Sequence, residues 1–61
     1  PGYIVRSGVN PALILASNGE FLSERMLGPG GIAALIFKTR SGAERRAASR
    51  GVGDTVEGTS P

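Results

Sequence analysis

Leu13-Ile14-Leu15-Ala16-Ser17-Asn18-Gly19-Glu20-Phe21-Leu22-Ser23 is the stretch on which the fold turns. Two apolar runs flank Asn18-Gly19, the strongest short-range signal for a β-hairpin, and a type I′ turn there asks for positive φ at both central residues. These residues predict a strand over Ala12–Ala16 that turns back into a second over Glu20–Ser23. A helix from Ser17 to Met26, capped by Ser17 with Glu20 at the box position, is the alternative, and Gly19 at its second helical position weakens it.

Upstream, Tyr3-Ile4-Val5-Arg6-Ser7 is aromatic and β-branched and lies between Gly2 and Gly8, which predicts another strand. Gly8-Val9-Asn10-Pro11 supplies a turn, since Pro11 fixes its own φ and pushes Asn10 toward an extended conformation. Downstream, Leu27-Gly28-Pro29-Gly30-Gly31 can continue neither helix nor strand and reads as a loop. Ile32–Thr39 is the most apolar run, continuous rather than alternating. That pattern predicts a buried strand, at least from Leu35, at the centre of the sheet. Ser41-Gly42-Ala43-Glu44 then matches a capping box, so a helix is expected from Gly42 to Arg50, with Gly51 at the left-handed C-terminal position. Ala43 and Ala47, four residues apart, give that helix a small face that fits against a sheet. Val52 and Val56 permit a last edge strand.

The sum is one small α+β domain over residues 1–57, with a flexible tail at 58–61. Its architecture is an antiparallel sheet of three to five short strands with the helix packed on one face. Leu13, Leu15, Phe21, Leu35, Phe37, Ala43, Ala47 and Val56 are the expected core. With 39% hydrophobic residues but only three aromatics among 61 positions, that core is mostly aliphatic.

Composition narrows the chemistry. The chain has no Cys and no His, so a disulfide framework, a thiolate metal site and the usual general base are all missing. No metal or cofactor is expected. Six serines lack a His to activate them, and Glu20 and Glu24 would need a deep cleft to separate their pKa values as a catalytic pair. No catalytic residue is assigned, and a non-enzyme is expected. No run approaches the roughly 18 apolar residues of a membrane span, and the secretory pattern is absent, so the expectation is a cytoplasmic protein without membrane association.

The net charge is only +2, yet its placement is uneven. Residues 1–37 balance, residues 38–50 carry a local +4, and residues 51–61 carry −2. Lys38, Arg40, Arg45, Arg46 and Arg50 therefore form the leading candidate for partner binding, to an acidic protein surface or to phosphates. The plainer alternative is a solvated helix face. No aromatic side chain is interleaved among them, which removes the stacking platform of a single-strand binder. The second candidate is the loop Gly28, Pro29, Gly30 and Gly31. It lacks the Lys-Ser/Thr that follows a nucleotide-binding loop. Over five residues it is similar to the Gly-x-x-Gly clamp of KH domains, but a plain connector is the preferred assignment because Gly-Pro pairs mark loops generally.

The order of strand, Asn-Gly hairpin and apolar strand ending Ile36-Phe37-Lys38-Thr39-Arg40, followed by Ser41-Gly42-Ala43-Glu44-Arg45-Arg46-Ala47-Ala48, resembles small bacteriophage and prophage accessory proteins. The similarity is greatest over about fifteen residues. It implies the class that includes anti-CRISPR proteins and other host-takeover factors, which bind and block a larger host complex and need a surface rather than chemistry. The expected partner is then a host protein or nucleoprotein complex, met in the host cytoplasm by a monomer or weak homodimer. The alternative function is a nucleic-acid-binding module using residues 38–50.

Overall fold

The structure is a computed structural model that describes residues 2–28 and 30–59. Four strands and one helix form it: β1 (Gly2–Arg6), β2 (Leu13–Leu15), β3 (Phe21–Ser23), α1 (Arg40–Ala48) and β4 (Thr55–Thr59). A single 3₁₀ turn at Glu24–Met26 follows β3. The sheet is antiparallel throughout, in the order β3-β2-β1-β4, and α1 packs on β1 and β4. This is the small α+β fold expected from the sequence.

The β2–β3 hairpin closes at the expected place with a different turn. No described residue other than glycine has positive φ, so a type I′ turn is excluded, and Gly19 alone takes φ 90°. Gly19 N donates to Ala16 O at 2.9 Å and Ala16 N to Glu20 O at 2.7 Å, which makes Ser17-Asn18-Gly19 a three-residue loop with its left-handed residue last. Asn18 keeps negative φ because its Oδ1 accepts from Glu20 N at 3.0 Å, a bond that fixes the turn locally. The helix considered over Ser17–Met26 is reduced to the 3₁₀ turn.

Residues 32–39 depart further from expectation. They form no regular strand, only isolated bridges: Leu27↔Ile32, Ala16↔Ala34 and Tyr3↔Phe37. The cause is a fork in the sheet, because β1 and β2 pair only at Arg6↔Ile14 and then diverge. Residues 33–37 enter the opening. Ser17 N donates to Ala33 O at 2.8 Å and Leu35 N to Leu15 O at 3.0 Å, after which Phe37 exchanges both backbone bonds with Tyr3 at 2.8 and 2.9 Å. The segment thus lies centrally as expected, but it changes partner halfway, and neither ladder is long enough to make a strand.

Helix α1 begins two residues earlier than the sequence suggests. Once Phe37 is pinned to Tyr3 the chain must leave the sheet, and Thr39 is the first hydroxyl after that point. Its Oγ1 accepts from Gly42 N at 3.1 Å, so Thr39 rather than Ser41 is the cap and Glu44 plays no box role. Arg50, expected in the last turn, lies beyond the helix. Gly51, at φ 65°, donates its N–H to Ala48 O at 3.1 Å and terminates the helix. The last strand runs over Thr55–Thr59, so Gly58 and Thr59 belong to the sheet and not to a tail. Ser60 and Pro61 lie outside the described residues.

The core gathers Val5, Leu15, Ala43 and Ala47, with Tyr3, Phe21, Leu35, Phe37 and Val56 packed around them. Val5 was not among the expected core residues, and Leu13 is only half-buried. Strand alternation sets the opposite face: Val5 and Leu15 look toward the helix, so Ile4 and Ile14 look away from it. The shortest extent is 17 Å, which suits the sheet and one helix at a layer spacing of about 10 Å.

Candidate functional site

The basic segment is positioned by Phe37, the Thr39 cap and Gly51, and its five cations differ in what holds them. Arg40 opens the helix, its guanidinium 5.4 Å from the Tyr3 ring centre and its Nη1 3.4 Å from Glu44 Oε2. A positive charge at a helix N-terminus opposes the dipole, and an exposed pair of this kind contributes only about 0.3–0.5 kcal/mol. Arg46 Nη1 donates to Ser49 Oγ at 3.2 Å. Arg50 lies 4.1 Å over the Phe21 ring and grips Asp54 with both Nε and Nη2, at 2.8 and 2.9 Å. The Asp54 side chain is 1% exposed and its Oδ1 also accepts from Gly8 N at 2.8 Å. The Arg50 fork first, then the Gly8 N–H, hold the Asp54 carboxyl below the usual carboxylate range, although burial opposes this. Arg50 is therefore a structural clamp joining Phe21, the turn after β1 and the approach to β4. Among the described residues only Lys38 and Arg45 of the five cations make no side-chain hydrogen bond or ion pair.

The glycine loop is folded on itself. Gly28 N donates to Ile32 O at 3.3 Å, Gly31 N to Gly28 O at 2.9 Å and Ile32 N to Met26 O at 3.4 Å. Gly28 and Gly30 take φ of 113° and 82°. These three amides are spent internally and are not free to meet a phosphate. It also lies between the 3₁₀ turn and the forked segment rather than between two helices. Pro29 lies outside the described residues. Among the described residues no three His, Cys, Asp or Glu side chains gather as a metal site would require.

A third surface lies on the sheet face turned away from α1. Ile4, Ile14, Leu27, Ala34 and Ile36 line a groove of about 490 Å³, and Glu24, Gly28 and Thr59 also contribute to its lining. The fork explains it. In residues 33–37, Leu35 and Phe37 pack toward the helix, while Ala34 and Ile36 line the groove on the side that α1 does not cover. Ile36 is 52% exposed and Met26 56%. Arg6 borders the groove through a charged network on the same face. Its Nε and Nη2 take both oxygens of Glu57 at 2.8 and 3.1 Å, Nη2 reaches Glu24 Oε1 at 3.1 Å, and Nη1 donates to Pro11 O at 2.7 Å. Hydrogen bonding to Arg6 holds the Glu57 carboxyl below its ordinary value.

Sequence reasoning missed this groove. The available signal was the continuous apolar run at Ile32–Phe37, which implies two apolar faces, and α1 covers only one of them.

The fold and these surfaces define a small α+β domain with a helix on one face of a four-stranded antiparallel sheet and an apolar groove on the other. No protein-family model, no curated protein and no solved structure matches the chain. Among the described residues no helix is long and apolar enough to cross a membrane.

Proposed function

We propose that this chain is a non-enzymatic protein-binding module that acts as an inhibitor or regulator by seating part of a larger host complex on the sheet face opposite α1. The observation that carries the proposal is the groove of about 490 Å³, lined mostly by aliphatic side chains on the sheet face that α1 does not cover. Uncovered apolar surface of this kind marks interaction sites in small proteins. The resemblance to phage accessory proteins supplies the inhibitory role and the host cytoplasm as its place. The alternative, nucleic-acid binding through Lys38, Arg40, Arg45, Arg46 and Arg50, has less support. Two of those cations are held by Glu44 and Asp54, whereas phosphate binding needs several free ones.

Crosslinking capture from a host lysate tests the proposal, run in parallel with the native chain, Ile36→Glu and Arg45→Glu. A protein captured by the native chain and Arg45→Glu but lost with Ile36→Glu supports it. Capture of nucleic acid alone, or loss with Arg45→Glu only, overturns it.

A further inference from the structure

We infer that the groove takes a cationic amphipathic segment, an aliphatic side chain seated among Ile4, Ile14, Leu27 and Ile36 with a Lys or Arg beside it that pairs with Glu24. This rests on the protein-binding reading above and specifies its partner. The apolar floor alone would accept any hydrophobic side chain, so the selectivity must come from the rim. There one guanidinium, Arg6, serves two carboxylates and leaves a local charge of −1. The fork of Arg6 is spent on Glu57, so Glu24 is the partner held by one bond only. The Glu24 side chain is 63% exposed, and its Oε2 accepts no hydrogen bond among the described residues. A lining carboxylate with a vacant oxygen favours a donor of positive charge. Arg25 does not answer it, because successive side chains on a 3₁₀ turn point about a third of a turn apart.

The same charge argues against other occupants. A second copy facing this groove about a twofold axis would bring two like-charged rims together. An anionic membrane surface or a nucleic acid would meet the carboxylates rather than the basic helix on the far side.

Three small probes with one apolar tail separate the apolar and charged parts: n-hexylammonium, which mimics a lysine side chain, 1-hexanol and n-hexanoate. Each is titrated into the full chain at pH 7 while amide NMR shifts are followed at Ile4, Ile14, Ala34 and Ile36. The expected order is hexylammonium tighter than hexanol by about two- to fivefold, the range of an exposed ion pair, with hexanoate weakest. Glu24→Gln should bring hexylammonium down to the hexanol value and leave hexanol unchanged. Equal binding of hexylammonium and hexanol, or a preference that survives Glu24→Gln, overturns the cationic specificity while the groove remains a binding surface. No shift at these amides with any probe overturns the groove itself. Shifts at the same amides that grow with protein concentration alone identify a second copy as the occupant and also overturn the inference.

Discussion

Asp54→Asn should destabilise the fold strongly for a single isosteric change. The carboxylate accepts three hydrogen bonds, from Gly8 N, Arg50 Nε and Arg50 Nη2, at a site where it is 1% exposed. Asparagine keeps one oxygen and replaces the other with an NH₂ donor. In one orientation that donor faces Arg50 Nε–H, and flipped it faces both Gly8 N–H and Arg50 Nη2–H, so at least one donor always loses its acceptor. A hydrogen bond to a charged partner contributes about 1.5–3 kcal/mol, and one is lost while the remaining two lose their charge. A cost of ~2 kcal/mol is expected, out of a total of about 3–9 kcal/mol for a chain of this length. At about 4–8 °C per kcal/mol for a small domain, that is a fall in Tm of about 8–16 °C. Calorimetry or circular dichroism on both proteins at pH 7 measures it. The pH dependence has a definite sign. The folded Asp54 carboxyl lies below its unfolded value of 3.8, so its contribution is fully present above that pH and is lost as pH falls through the lower folded value. The difference between native and Asp54→Asn should therefore shrink as pH falls from 6 toward 2. A variant within about 0.5 kcal/mol of native at pH 7, the range of an ordinary surface change, would refute the clamp. So would a deficit that stays constant down to pH 2.

Two further changes test local points of the fold. Thr39→Ala should cost about 1 kcal/mol and Ser41→Ala close to nothing by urea denaturation, because Thr39 Oγ1 is the one that caps α1; equal costs would contradict that assignment. Gly8→Ala should cost about 1–3 kcal/mol or more, since a Cβ there runs into the backbone of Val52 and Gly53, and a neutral result would mean the turn after β1 does not pack against residues 52–54 as described.

The sequence carried the elements better than their joins. The hairpin was legible because Asn18-Gly19 and the flanking apolar runs act locally, although the Asn18 side chain chose a three-residue loop over the type I′ form. Ala43 and Ala47 marked the packed face of α1 correctly through their spacing. The helix start was harder, since Thr39 and Ser41 are both competent caps and only the tertiary pinning of Phe37 on Tyr3 selects between them. The strand expected at residues 32–39 failed for a non-local reason. Its pairing partners are decided by where β1 and β2 part, and nothing within the run encodes that. The candidate surfaces were the least legible. Five cations close in sequence looked like a patch, but Asp54 and Glu44 take two of them. The groove is assembled from β1, β2, the loop and the forked segment, whose residues are scattered in sequence and individually look like core.

The central claim is that the face away from α1, and not the basic helix, holds the partner. The dissociation constants of a captured partner for the native chain, Ile36→Glu and Arg45→Glu test it most directly. Burying a new carboxylate in the groove should weaken binding tenfold or more, about 1.4 kcal/mol, with Arg45→Glu staying within about twofold of native. Binding that survives Ile36→Glu but falls tenfold with Arg45→Glu would contradict the claim and return the function to the basic segment.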